Sequence, residues 1–101
     1  MKKVVMFCTG GVSTKVLVDK LKEEAANINY DIDIEAYGIT DAHIAKDADL
    51  VLLGPQIRYK LDKFRENLPD KMIDVVNTKD YGAMDAKSIL DFIIKHFIIN
   101  P

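Results

Sequence analysis

The sequence predicts a three-layer α/β domain: a four-stranded parallel sheet, order 2-1-3-4, with helices on both faces. Three observations carry this. Short apolar runs alternate with amphipathic helical stretches, the pattern of strands joined by right-handed crossovers. Two runs, Val4–Phe7 and Leu50–Leu53, are apolar on both faces, as central parallel strands must be. A third, Asp31–Tyr37, alternates polar and apolar residues and belongs at an edge.

Residues 3–7 read as the first strand. Residues 14–28 read as a helix with Leu17, Val18, Leu21, Ala25 and Ile28 inward and Lys15, Asp19, Lys20, Lys22, Glu23 and Glu24 mostly wet. Ile32, Ile34 and Ala36 face one side of the second strand and Asp31, Asp33 and Glu35 the other, until Gly38 ends it. Thr40-Asp41 suits the cap of one or two helical turns reaching Ala45. Asp49–Leu53 is the third strand, closed by Gly54-Pro55. Residues 57–68 form a helix with Ile57, Leu61, Phe64 and Leu68 inward, stopped before Pro69. Met72–Val76 is the fourth strand. Residues 85–98 form the last helix, its apolar face made of Ile89, Leu90, Ile93, Ile94, Phe97 and Ile98.

The 101 residues suit a single domain spanning 1–101, and 49% apolar residues suffice for a core. The single cysteine allows no internal disulfide and fits a reducing compartment. The start of the chain lacks a signal-peptide layout. Ile89–Ile99 is broken by Asp91, Lys95 and His96 and is too short to span a bilayer. A cytoplasmic protein is expected. The net charge of −2 has no basic block, which argues against a nucleic-acid partner.

The chemistry concentrates in Cys8-Thr9-Gly10-Gly11-Val12-Ser13-Thr14, between the first strand and the first helix. Two glycines permit a sharp turn with inward amides, and Ser13 and Thr14 suit a helix cap. Amides at the positive end of a helix dipole hold tetrahedral oxyanions. They also favour the thiolate, the nucleophilic form of a cysteine. In sheet order 2-1-3-4 this loop shares the switch-point crevice with Gly54-Pro55-Gln56-Ile57. The blander reading of Cys8 is a small buried apolar residue.

Phe7-Cys8-x-x-Gly11-x-Ser13-Thr14-x-x-Leu17-Val18 resembles the phosphocysteine loop of IIB components of the bacterial sugar phosphotransferase system, lactose/cellobiose/chitobiose branch. Asp47-Ala48-Asp49-Leu50-Val51-Leu52-Leu53-Gly54-Pro55-Gln56-Ile57-x-Tyr59 and Tyr81-Gly82-x-x-Asp85 resemble two further signatures of that branch. The resemblance implies a flavodoxin-like fold, also that of low-molecular-weight phosphatases. It implies that Cys8 takes phosphate from a phosphohistidine of a IIA protein. A sugar bound in the membrane permease IIC then receives it, a β-linked disaccharide such as cellobiose, chitobiose or lactose. The chain would be a protein-phosphocysteine–sugar phosphotransferase, at the inner face of the membrane only in passing. Thr9, Gly10, Gly11, Val12, Ser13 and Thr14 would cradle the phosphate. Phosphoryl transfer rests on positioning and charge stabilisation, which backbone donors supply without a metal or cofactor.

The alternative is a cysteine phosphatase or arsenate-reductase-like enzyme, which needs Cys, five residues, then Arg. Thr14 stands at that place, and Lys15 is a point charge on a flexible stem. Asp85 is the one candidate acid for such an enzyme. A receiver module is excluded by the lack of an acidic pair after Val4–Phe7. A Walker loop is excluded by the lack of Gly-Lys-Ser/Thr. A flavin module would have only Tyr59 and Tyr81 to offer. Gln56, Tyr59, Tyr81, Gly82 and Asp85 are candidate crevice or partner contacts, though the last three also read as a turn and a helix cap. Arg58 and Lys60 read equally as phosphate attractors and as a solvated helix start. His43 and His96 read as surface residues away from the crevice.

Overall fold

The computed structural model describes residues 1–9, 12–38 and 42–99, except the side chains of residues 12 and 13. Four parallel strands, β1 (Lys2–Phe7), β2 (Ile32–Tyr37), β3 (Leu50–Leu53) and β4 (Met72–Val75), form one sheet in order β2-β1-β3-β4. Val4 pairs with Ile34 on one side and Leu50 on the other, and Leu50 pairs with Met72. Asp49 fixes the start of this register. Its carboxylate accepts from the Lys3 amide at 2.8 Å, and its own amide donates to the Lys3 carbonyl at 2.8 Å.

Alternation along the strands builds two cores. Val4, Met6, Ile34, Leu50 and Leu52 pack under two helices, α1 (Val12–Asn27) and α4 (Ala86–Ile99). Val5, Phe7, Val51, Leu53 and Ile73 pack on the other face. There they meet a 3₁₀ turn, Ala42–Ala45, and Ile57, Phe64 and Leu68 around α2 (Leu61–Asn67). A short helix, α3 (Thr78–Gly82), lies between β4 and α4 in the chain.

Several elements differ from the sequence reading. The stretch 57–68 is not one helix: a 3₁₀ segment, Pro55–Lys60, bends at Ile57 (φ −117°, ψ 21°) before α2 begins. Pro55 starts a helical turn well. The apolar spacing survives the bend, with Ile57 and Phe64 buried and Leu61 packed at the margin of that core. β4 ends at Val75, and Val76 enters the α1–α4 core. Ile98, read as inward, is 72% exposed. α1 stops at Asn27, leaving Ile28 exposed. Asn29 adopts a left-handed φ of 55°, so the Tyr30 amide reaches back to the Ala25 carbonyl at 2.8 Å and closes the helix. Met84 (φ 52°) closes α3 likewise, with the Asp85 amide on the Asp80 carbonyl at 2.9 Å. The expected cap at Thr40-Asp41 lies outside the described residues.

Candidate active site

β1 is central and buried from Val4 to Phe7, so the residue after it emerges where the β2 and β3 ends converge. Cys8 holds that place. Its amide donates to the Tyr37 carbonyl at 3.1 Å, extending the pairing with β2 by one residue. On the other side the Gly54 amide donates to the Phe7 carbonyl at 2.7 Å. A Cβ at Gly54 would sit 3.3 Å from the Cβ of Cys8 and 3.0 Å from the Gln56 Oε1. The loops after β1 and β3 thus meet at Cys8, as the sheet order requires.

Strand alternation turns the Cys8 side chain toward α1. Its Sγ lies 3.0 Å from the Oγ1 of Thr14 and 3.7 Å from the Tyr37 carbonyl oxygen. Thr14 does not cap the helix, contrary to the sequence reading. α1 begins at Val12, so Thr14 lies in its first turn, 5% exposed, and its hydroxyl serves the sulfur. On its far side the Thr14 Oγ1 meets the Tyr81 Oη at 3.1 Å. Tyr81 therefore reaches the site. Burial pushes its phenol up from the ordinary value. The hydrogen bond with Thr14 opposes this, and the charge and hydrogen bonding of the Cys8 sulfur add to the rise.

Cys8 is fully buried, where the sequence reading expected a sulfur open beside a ring of amides. It nonetheless forms part of the wall of a groove of about 390 Å³ between α1 and β2, with Thr14, Lys15, Asp19, Glu35 and Tyr37. The Tyr37 hydroxyl donates to the Glu35 carboxylate at 2.6 Å, and that bond is the main cause of its raised pKa. Thr9 is exposed. Gly10, Gly11 and the side chains of Val12 and Ser13 lie outside the described residues, so the phosphate cradle read there is an expectation only.

The remaining candidates separate. Gln56 is exposed beside Gly54 and Cys8. Tyr59 is 73% exposed, with the Lys60 ammonium 5.8 Å from its ring centroid, and Arg58 is exposed with it. Gly82 is exposed, with nothing within 4 Å of an added Cβ. Asp85 is a cap, not a crevice acid. Its carboxylate accepts from the Ser88 amide at 3.1 Å and the Ser88 hydroxyl at 3.0 Å, which holds its pKa below the ordinary value. His43 is exposed. His96 is not a plain surface residue: its ring sits between the Phe92 carbonyl at 2.8 Å and the Asp74 carboxylate at 3.0 Å, locking α4 to β4. Among the described residues no group of three or more His, Cys, Asp or Glu could hold a metal. Nor is any described helix long and apolar enough to cross a membrane.

Thr14 as a partner of the sulfur is what the sequence reading missed, having placed it in the phosphate cradle. The signal was its place on the helix face that carries Leu17, Val18 and Leu21 inward. The second signal was the pairing of its motif with Tyr81-Gly82 in the resemblance.

Residues 3–92 match the family model described as "PTS system, Lactose/Cellobiose specific IIB subunit". The chain is 33% identical over 90 residues to the oligo-beta-mannoside-specific EIIB component of Bacillus subtilis, covering 86% of this chain and 87% of that one. It is 28% identical over 97 residues to the cellobiose-specific EIIB component of Lactococcus lactis, covering 88% and 90%. Among solved structures, it resembles the cellobiose-specific phosphotransferase IIB component of Borrelia burgdorferi, with TM-score 0.75, 32% identity and coverage of 93% and 89%. The fold is also that of the lactose-specific IIB domain of Streptococcus pneumoniae, with TM-score 0.79, 20% identity and coverage of 95% and 97%.

Proposed function

Because this chain belongs to the lactose/cellobiose-specific IIB subunits of the sugar phosphotransferase system, we propose that Cys8 is its phosphate carrier. IIB components are the phosphotransfer components of that system. One observation supports the choice of Cys8 above all. The only cysteine in the chain stands at the switch point of the sheet, with its sulfur bonded to a helix-borne hydroxyl and bordering a groove.

The chemistry runs in two transfers. The Cys8 Sγ, as thiolate, attacks the phosphorus of a phosphohistidine on a IIA protein. The S–P bond forms as the N–P bond breaks, and its electron pair stays on the imidazole nitrogen. A sugar hydroxyl bound in the permease IIC then attacks the phosphorus and loses its proton to water. The S–P pair returns to sulfur as thiolate. Thr9 to Thr14 surround the phosphate, with main-chain donors at the start of α1 holding its oxygens. Gln56, Tyr59 and Tyr81 line the face that IIA and IIC visit in turn. Serving two partners in turn calls for transient contacts, the kind a mostly polar face of modest area makes. The domain acts as one unit over residues 1–101, on the cytoplasmic side of the membrane. The sugar is a β-linked disaccharide of the cellobiose, chitobiose or lactose kind, chosen by the permease.

The test is to mix the protein with phosphoenolpyruvate, the general phosphorelay proteins and a suitable IIA, and to weigh it by intact mass spectrometry. One added phosphate on Cys8 is expected, and Cys8→Ser abolishes the stable adduct. A phosphate found on His43 or His96 instead overturns the assignment. Steady turnover of an aryl phosphate would transfer the protein to the phosphatase reading.

A further inference from the structure

The Tyr81, Thr14 and Cys8 side chains form a file of three groups, Oη to Oγ1 at 3.1 Å and Oγ1 to Sγ at 3.0 Å. The three come from α3, α1 and the residue after β1, seventy-three residues apart at the widest, from Cys8 to Tyr81. Such a file is maintained by tertiary structure and by no local propensity. Each hydroxyl has one proton to give and lone pairs to receive. A thiol at the end of the file donates to the Thr14 oxygen, which then directs its own proton toward Tyr81. A thiolate cannot donate. The Thr14 proton then points at sulfur, and the Tyr81 phenol, held protonated by its burial, donates to Thr14.

We infer that this file is a reversible hydrogen-bond chain that holds the Cys8 sulfur as an oriented thiolate. In it Thr14 acts as a catalytic residue on the reacting atom and Tyr81 as a positioning residue behind it. The inference rests on Cys8 being the nucleophile. It assigns Thr14 to the sulfur, a role distinct from cradling phosphate. No proton crosses to the phosphoryl donor in the accepting step: the sulfur lends its electron pair to phosphorus, and the chain relaxes as the negative charge leaves it. Hydrogen bonds to charged groups are roughly twice as strong as neutral ones, and burial sharpens the difference. The other charged or titratable groups that border the same groove are Lys15, Asp19 and Lys22 of α1 and Glu35 and Tyr37 of β2. None of these is the group hydrogen-bonded between Cys8 and Tyr81.

The experiment compares the parent chain with Thr14→Val, Thr14→Ser and Tyr81→Phe. Each is alkylated with iodoacetamide across a pH series, with Cys8 modification followed by intact mass, and each is then assayed for phosphate uptake from IIA. Thr14→Val should displace the alkylation profile to higher pH, with a rate at neutral pH about tenfold lower, the scale of one charge-assisted bond. Thr14→Ser should restore the parent profile, and Tyr81→Phe should shift it less in the same direction. A folded Thr14→Val with the parent profile overturns the inference. If Thr14→Val does not fold, a Tyr81→Phe profile superimposable on the parent's overturns it. Alkylation needs no relay protein. A parent chain that takes no phosphate while the profiles shift would sink the carrier reading and leave the chain standing. Normal uptake with unmoved profiles would do the reverse.

Discussion

At the scale of single residues, the site is built from side chains whose ordinary preferences are put to unusual use. Serine and threonine at a helix start usually satisfy backbone amides. Here the Thr14 hydroxyl is drawn away by a sulfur and a phenol. Local sequence could announce the hydroxyl but not its partners, because Tyr81 is brought there by α3 and nothing near Thr14 encodes α3. The place of Cys8 just after β1 was legible from the apolar run before it. Gly54 gives a separate test of how closely the two loops approach. Its backbone (φ −62°, ψ 149°) suits any residue, so its smallness is needed for space alone. In Gly54→Ala the added methyl meets the flexible end of Gln56 at 3.0 Å and the Cys8 Cβ at 3.3 Å. The Gln56 end can turn away, whereas Cys8 is pinned by its amide on Tyr37. We expect a folded protein, about 1 kcal/mol less stable in urea unfolding, with Cys8 alkylated at a changed rate. Unchanged stability and reactivity together would show that the loops have room to part.

At the scale of elements, what the sequence could express was period and burial. All four strands and their order were legible because Val4–Phe7 of β1 and all of β3, buried on both faces, read as unbroken apolar runs, while β2 alternates and β4, at the other edge, is a short apolar run broken by Asp74. The long helices α1 and α4 were legible for the same reason, within two residues at each end. The bend at Ile57 was not, because apolar spacing of three and four residues is kept on both sides of it. α3 was not, because five residues are too few to show a period. Its one signal was Asn77, whose side chain accepts from the amides of Lys79 at 2.7 Å and Asp80 at 3.2 Å. A helix this short has little stability of its own, so the cap should govern whether Tyr81 is presented to Thr14. Asn77→Ala should lower global stability by about 1 kcal/mol and slow Cys8 alkylation in the direction of Tyr81→Phe. Asn77→Asp should preserve both. Lost stability with unaltered alkylation would mean that Tyr81 is held by packing against the α1–α4 core and not by its helix start.

At the scale of the whole molecule, two faces of one sheet carry separate cores, and groups on both sides bound the stable range: Asp85 and Tyr81 beside the α1–α4 core, Tyr37 against the other. The acid limit involves Asp85. Its bonds to Ser88 exist only in the folded chain and hold its carboxyl below the ordinary value of 3.8. A depressed folded pKa gives stability that is complete above the unfolded value and lost as pH falls through the folded one. The alkaline limit involves Tyr81 and Tyr37, both raised above 10.0, the first mainly by burial and the second mainly by its bond to Glu35. For a raised group the sign reverses: stability is complete below the unfolded value and lost as pH rises through the folded one. The free energy of unfolding, measured in urea across a pH series, should therefore be level through neutrality and decline at both ends. Asp85→Asn keeps a capping oxygen without the charge, so its acid decline should be shallower than the parent's. Tyr81→Phe should flatten the alkaline decline in part, and adding Tyr37→Phe should flatten it further. An acid limb of Asp85→Asn that superimposes on the parent's would remove the α4 cap from the causes of acid unfolding. An alkaline limb unmoved by Tyr81→Phe would mean that its phenol ionises as freely in the fold as outside it, against the burial seen at the site.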